Sequence, residues 1–291
     1  MKHLQAKVAF ITGAASGIGF ALAQCCGSRG MQVMLADIDQ DALDAAVNTL
    51  RDEGIDAAGT ICDVSNESSM RDAAQATLDR FGKVHMLVNN AGVLVVGGAG
   101  ETSIDTWQWA MNVNVMGIVY GVEIFLPLIR AHGEGGHILN TASVGGHVGF
   151  AGVLAYCTTK HAVVGFTESL AQQLEDENIG VSMLCPGFTN TRIADTGRFE
   201  KNIEGAGGES KAFAQAVETG MSAEVVAAHA IDQVQQGALF IFTHPGTRGE
   251  VEERFPKISA AFDATDASTV IRSDPDSKRV ADKDDVADLY R

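Results

Sequence analysis

Short runs of aliphatic residues alternate along this chain with longer stretches whose apolar positions recur at helical spacing. The short runs fall at 8–12, 32–37, 57–62, 86–89, 137–142, 181–185 and 239–242. They are near-continuous in Val, Ile, Leu, Met and Ala rather than alternating with polar residues, as in strands covered on both faces. Helices are expected over 17–29, 40–53, 67–81, 104–130, 155–177 and 222–236. Strand–helix alternation of this kind implies parallel strands joined by crossover helices, an α/β fold with a doubly wound parallel sheet.

Local chemistry supports several boundaries. Gly30 and Gly54 follow the first two helices, where left-handed backbone is easiest for glycine. Ser65-Asn66-Glu67-Ser68-Ser69 offers caps for the third. Two segments break the rhythm. Residues 188–220 form a long glycine-rich connection, a length that in a compact domain usually serves function. Residues 263–291 are rich in Asp and read as a polar, partly ordered acidic tail behind one catalytic domain over 1–262.

The 291 residues carry a formal charge of −16, a surface that repels nucleic acid and anionic membranes. Hydrophobic residues make up 46% and aromatic ones only 6%, so aliphatic side chains must fill the core. The five cysteines, Cys25, Cys26, Cys62, Cys157 and Cys185, are odd in number and form no C-x-x-C pair. That pattern favours free buried thiols in a reducing compartment over disulfides or a zinc site, and no metal cluster is expected. The chain enters an apolar strand almost at once, without a signal-peptide pattern, and no uncharged apolar run is long enough to span a bilayer. A cytoplasmic protein is the expectation.

The first strand runs into Thr12-Gly13-Ala14-Ala15-Ser16-Gly17-Ile18-Gly19 and then a helix, the context that a dinucleotide-binding turn requires. Gly13 permits the sharp turn, Gly17 lets a pyrophosphate approach the backbone, and Gly19 allows close helix–strand packing. The helix start, with Ser16 and Ile18, presents free N–H groups and partial positive charge to phosphates. Asp37 ends the second strand about twenty residues on, where a carboxylate meets the adenosine ribose and repels a 2′-phosphate. No Arg or Lys stands at Ala14, Ala15, Ser16 or Ile38, so NAD is expected over NADP. The fold class becomes a single-domain Rossmann-type sheet. Asp63-Val64 and Asn89-Asn90-Ala91-Gly92 follow the third and fourth strands, at the edge where such sheets bind ligands, and equally suit plain turns.

Downstream lie Ser143, then Tyr156 and Lys160 one helical turn apart and therefore on one face. A tyrosine titrates near about 10, too high for a neutral-pH base. A neighbouring ammonium favours the phenolate and is expected to lower that value. Ser143 can hydrogen-bond a substrate oxygen as charge develops there. The trio can thus move a proton on and off an alcohol oxygen.

These motifs, together with Asn114 in Asn-Val-Met-Gly and with Pro186-Gly187, occur in an order and spacing that resembles the short-chain dehydrogenase/reductase family across roughly residues 5–245. The resemblance implies Asn114, Ser143, Tyr156 and Lys160 as catalytic residues, with Lys160 also holding the nicotinamide ribose and Asn114 a water beside it. It implies Asp63 and Val64 at the adenine, and Asn90, Ala91 and Gly92 supporting the cofactor. Ile18, Pro186, Gly187 and Thr191 would flank the nicotinamide. It also suggests a homodimer or homotetramer.

For the substrate, the 188–220 loop carries Phe188, Ile193, Phe199, Ile203 and Phe213, with Gly205, Gly207 and Gly208 as hinges. Val95, Val96, Val144 and Phe150 are expected on the opposite wall. Such a pocket suits a hydrophobic secondary alcohol or ketone, whether steroid, terpenoid, alicyclic or aryl. The expected activity is hydride transfer between NAD and that substrate. The alternatives are an NADPH-dependent carbonyl reductase and a non-catalytic cofactor-binding regulatory protein.

Overall fold

The computed structural model describes residues 1–199 and 211–277. Seven parallel strands form one sheet in the order β3-β2-β1-β4-β5-β6-β9. They are β1 (Val8–Thr12), β2 (Gln32–Asp37), β3 (Ala57–Ile61), β4 (Met86–Asn89), β5 (Gly136–Thr141), β6 (Ile179–Cys185) and β9 (Phe240–Phe242). The order reverses between β1 and β4, which opens a crevice at the carboxyl ends of those strands. Parallel register aligns these ends: Thr12 pairs with Ala36, Asn89 with Asn140, and Thr141 with Leu184.

Both faces are covered, which is why the strands read as unbroken apolar runs. Ile11 points into a core formed with α1 (Gly17–Ser28), α2 (Gln40–Asp52) and α8 (Ala223–Gln236). Its neighbour Phe10 points the other way and stacks on Phe125 at 4.3 Å. That second face is covered by α3 (Glu67–Phe81), α5 (Gly117–Ala131) and α6 (Leu154–Gln173). Gly30 and Gly54 adopt φ of +85° and +81° behind their helices, and the Asn66 carboxamide caps α3 through the Ser68 and Ser69 N–H groups.

The structure departs from expectation where local pattern is weakest. The helix expected over 104–130 is α4 (Ile104–Met111), a π-helical turn (Asn112–Met116) and α5 in one continuous run. By length and composition that run could cross a membrane, yet Ile118, Val122, Phe125 and Ile129 bury its apolar side in the domain. The helix expected to reach 177 ends at Gln173. The 188–220 connection holds real structure: β7 (Thr189–Asn190), a 3-10 turn (Ile193–Phe199) and α7 (Lys211–Glu218), with β7 paired to β8 (Met221–Ser222) just beyond it. Ile203, Gly205, Gly207 and Gly208 lie outside the described residues, as does the Phe199 side chain.

The chain divides into two compact units, Met1–Thr247 and a second beginning at Arg248, not at the expected boundary after 262. The second unit is helical where a polar tail was expected from 263. It contains α9 (Arg248–Glu252), α10 (Arg254–Ala267) and α11 (Thr269–Arg272), and no residue of these helices is buried.

Candidate active site

The turn after β1 meets the loop after β4 at van der Waals limits. Gly13 has φ +62°, and a methyl there would lie 2.8 Å from the Ala91 Cα. Gly17 has φ +55°, and its methyl would lie 3.0 Å from Thr191. One on Gly19 would strike the Gly13 carbonyl oxygen at 2.1 Å. All three positions require glycine, each for a different neighbour. Ser16 precedes α1 in an extended conformation and makes no side-chain cap. The first-turn N–H groups of α1 therefore receive no acceptor from the Ser16 side chain, as a phosphate site needs.

Asp37 ends β2 beside this turn. Its Oδ2 accepts the Ala15 N–H at 3.0 Å and its Oδ1 the Asp39 N–H at 3.1 Å. A carboxylate offers about four lone-pair directions, so acceptor capacity remains for a ribose. Asp63 Oδ1 accepts from the Ser65 N–H and hydroxyl, and the adjoining Val64 is buried against Gly117. The Asn90 carboxamide donates to the Thr12 carbonyl at 3.1 Å, while the Thr12 Oγ1 accepts from the Asn90 and Ala91 N–H groups, each at 3.0 Å. Glycine geometry, an uncapped helix start and an acid at the end of β2 together fit a dinucleotide.

Next to it, Ser143, Tyr156, Lys160 and Asn114 gather around two glycines. A methyl on Gly145 would touch the Ser143 Oγ and the Tyr156 ring, both at 3.5 Å. One on Gly92 would lie 3.2 Å from the Asn114 Oδ1 and 3.5 Å from the Lys160 Nζ. Ser143 accepts from the Gly145 N–H at 3.1 Å and donates to the Pro186 carbonyl at 3.4 Å, and its hydroxyl favours ionisation of the Tyr156 phenol. Lys160 is buried and donates to the Thr141 carbonyl at 2.9 Å. Asn114 sits in the π-helical turn, a distortion frequent at functional sites. Its Oδ1 accepts the Val93 N–H at 2.8 Å, and its Nδ2 donates to the Val93 carbonyl and the Thr159 Oγ1. That side chain pins the β4 exit loop to α6.

Electrostatics correct one expectation. Burial pushes the Tyr156 phenol upward, and the Ser143 hydrogen bond opposes it only in part, so the net shift is not the expected lowering by Lys160. The Lys160 Nζ lies 5.7 Å from the Tyr156 ring centroid, and burial brings its own value down to about 8. Both groups are desolvated, and each disfavours its charged form for the same reason.

The apolar wall sorts by strand-like alternation. Val96, Leu94, Val153, Ile193 and Phe213 pack around Tyr156 and Cys157. Val95 turns the other way, 2% exposed, among Ala110, Ala155, Trp107 and Trp109. Val144 is buried, and Phe150 is 41% exposed. Phe188 is 48% exposed and meets the Phe213 ring edge-on at 5.2 Å. Thr12, Thr159 and His244, which contribute hydrogen bonds here, carried only the weak sequence signal of polar residues at element ends or inside a helix.

Elsewhere, His85, His132 and Glu134 converge at the amino edge of the sheet. Each ring nitrogen there already has a protein partner, and Glu134 pairs with Lys7 and Lys83. The five cysteines are free, and burial pushes Cys62 and Cys185 up to about 12.

A doubly wound sheet with a phosphate-type turn, and Ser143, Tyr156 and Lys160 gathered beside it, is the architecture of a nicotinamide-dependent oxidoreductase. Residues 7–202 match the model of the short chain dehydrogenase family, and the chain belongs to that family. It is 33% identical over 286 residues to a C alpha-dehydrogenase of Sphingobium sp. (strain NBRC 103272 / SYK-6), covering 96% of this chain and 92% of that one. It is 34% identical over 208 residues to human 15-hydroxyprostaglandin dehydrogenase [NAD(+)], covering 69% and 75%. Among solved structures it resembles a short chain dehydrogenase/reductase from Burkholderia phymatum in complex with NAD, with TM-score 0.87, 38% identity, and coverage of 90% and 97%.

Proposed function

We propose that this oxidoreductase transfers hydride between NAD and a hydrophobic secondary alcohol or ketone. The observation that carries the proposal is the meeting of Ser143 and Tyr156 at Gly145, with Lys160 and Asn114 at Gly92, beside the uncapped start of α1.

When bound, the dinucleotide supplies the hydride acceptor or donor. The residues that would hold it are Gly13, Ser16, Gly17 and Gly19 at the phosphates, Ile18 toward the nicotinamide and Asp37 at the adenosine ribose. Asp63 and Val64 would border the adenine, and Asn90, Ala91 and Gly92 would form the floor. Lys160, Pro186, Gly187 and Thr191 would serve the nicotinamide half. The preference for NAD rests on Asp37, which accepts the Ala15 N–H, and on the lack of Arg or Lys at Ala14, Ala15, Ser16 and Ile38 to receive a 2′-phosphate.

In oxidation, Tyr156 takes the hydroxyl proton as the carbinol hydrogen leaves carbon with the C–H electron pair, for which the bound dinucleotide would be the acceptor. In reduction, Tyr156 gives a proton to the carbonyl oxygen as hydride arrives at carbon. The Ser143 hydroxyl donates to the same oxygen while negative charge builds there. Such a donor contributes about 3 kcal/mol in a desolvated site. The Lys160 ammonium favours the phenolate whenever Tyr156 has lost its proton. The apolar lining from Leu94, Val96, Val153, Ile193 and Phe213 supports a substrate with a hydrocarbon frame. Phe188 is well situated to add to it.

The test is an NADH-fluorescence screen of secondary alcohols, with steroid, alicyclic and aryl members, run with NAD and with NADP. Turnover with NAD on apolar alcohols supports the proposal. A clear preference for NADP would favour a carbonyl reductase, and binding without turnover a regulatory protein.

A further inference from the structure

We infer that His244 is a positioning residue of the cofactor site: its imidazole clamps the Pro186-Gly187-Phe188 backbone that forms the nicotinamide-side wall. The inference rests on the reading of this edge of the sheet as the dinucleotide site.

His244 follows β9, and β9 pairs with β6 as far as Cys185 and Phe242. The exits of the two strands therefore lie side by side. The His244 Nδ1 accepts the Gly187 N–H at 3.0 Å and lies 2.8 Å from the Thr243 hydroxyl. The Nε2 lies 2.8 Å from the Phe188 carbonyl oxygen. A carbonyl only accepts, so the ring proton sits on Nε2. An N–H only donates, so Nδ1 must be bare. The two backbone groups fix one neutral tautomer independently.

The ring also explains the glycine. A Cβ at Gly187 would lie 2.9 Å from the His244 Cγ, so the imidazole occupies the space a side chain would take. Each residue of the segment then has its own tether. The Pro186 carbonyl accepts from the Val144 N–H at 3.0 Å and the Ser143 hydroxyl at 3.4 Å. His244 holds Gly187, and the Phe188 carbonyl is shared by His244 and the Met221 N–H at 3.0 Å. Gly187 has the widest conformational freedom of the three; its N–H is held by His244 and its carbonyl accepts the Thr189 hydroxyl at 3.2 Å. Four residues on, Thr191 meets Gly17 of the phosphate turn. The clamp thus sets the spacing between the Ser143 side of the site and the phosphate side.

Three proteins test this: wild type, His244→Phe and His244→Asn. Phe keeps the ring and loses both hydrogen bonds, while the Asn oxygen can still take the Gly187 N–H. Hydrogen exchange of the 183–190 peptide, measured without dinucleotide, should be on the order of tenfold faster in His244→Phe and near wild type in His244→Asn. KM for NAD should rise on the order of tenfold in His244→Phe with kcat changed less than about threefold, and His244→Asn should recover most of the loss. Wild-type exchange in His244→Phe would overturn the inference. So would equal losses in both variants with KM untouched, since a merely structural ring would give that result. If NAD bound neither wild type nor variant, the functional reading itself would fall, and the exchange rates would then decide the clamp alone.

Discussion

The Asp37 carboxylate accepts the Ala15 N–H at 3.0 Å, so the acid that closes β2 is held against the glycine turn that closes β1. One side chain thereby shapes the turn and presents negative charge at its rim. Asp37→Asn keeps an acceptor and removes the charge. Hydrogen bonds to a charged group are worth about 1.5–3 kcal/mol, so kcat/KM with NAD should fall on the order of tenfold or more, and discrimination against NADP should shrink. Steady-state kinetics with both dinucleotides check this.

Lys160 illustrates a conflict between stability and chemistry. Its ammonium is buried, and its value has come down from 10.5 to about 8. Below about pH 8 the folded protein carries the full cost of that buried charge. The cost is relieved as pH rises from about 8 to about 10.5, because the unfolded chain binds the extra proton in that window. Lys160→Met should therefore stabilise the protein at pH 7 by about 1–3 kcal/mol, flatten the alkaline part of its stability curve, and abolish turnover. Denaturant melts at pH 7 and pH 10 provide the comparison.

The upward shift of Tyr156 has a kinetic sign. Oxidation needs the phenolate and reduction the phenol, so kcat/KM for alcohol oxidation should climb from pH 7 into the alkaline range while ketone reduction declines. Ser143→Ala removes the hydrogen bond that opposes the shift and should move both profiles further to alkaline pH. Profiles of the two directions, with and without Ser143, check the assignment.

Thr159 accepts the Asn114 Nδ2–H at 3.0 Å and donates to the Tyr156 carbonyl at 2.7 Å. Thr159→Val keeps the shape and leaves a buried amide donor short of a partner, a loss of about 1–3 kcal/mol. A fall in melting temperature of about 2–4 °C for each kcal/mol is expected, with reduced kcat as the loop carrying Gly92 loosens.

Much of this was legible in the sequence because it is local. Gly13, Gly17 and Gly19 follow an aliphatic strand and open a helix, and Tyr156 and Lys160 are one turn apart, so neighbours in sequence imply neighbours in space. What was not legible depends on distant partners. Val95 and Val96 are equally apolar, and only the packing of Trp107 and Trp109 decides which one turns away from Tyr156. The π-helical turn at Asn114 leaves no mark on the apolar periodicity of the 104–131 run. The two-residue strands β7 and β8 are too short for any pattern and exist through their mutual pairing. The direction of the Tyr156 shift is not legible in the sequence because helical spacing gives the distance to Lys160 but not the burial that outweighs it.

The most direct measurement is single-turnover oxidation by Tyr156→Phe beside wild type, with NADH affinity determined by fluorescence titration on the same preparations. Removing a proton carrier costs about 10²- to 10⁴-fold in rate, and the account predicts a loss of that size with NADH binding unchanged. A variant that binds NADH normally and oxidises the alcohol at close to the wild-type rate would contradict it.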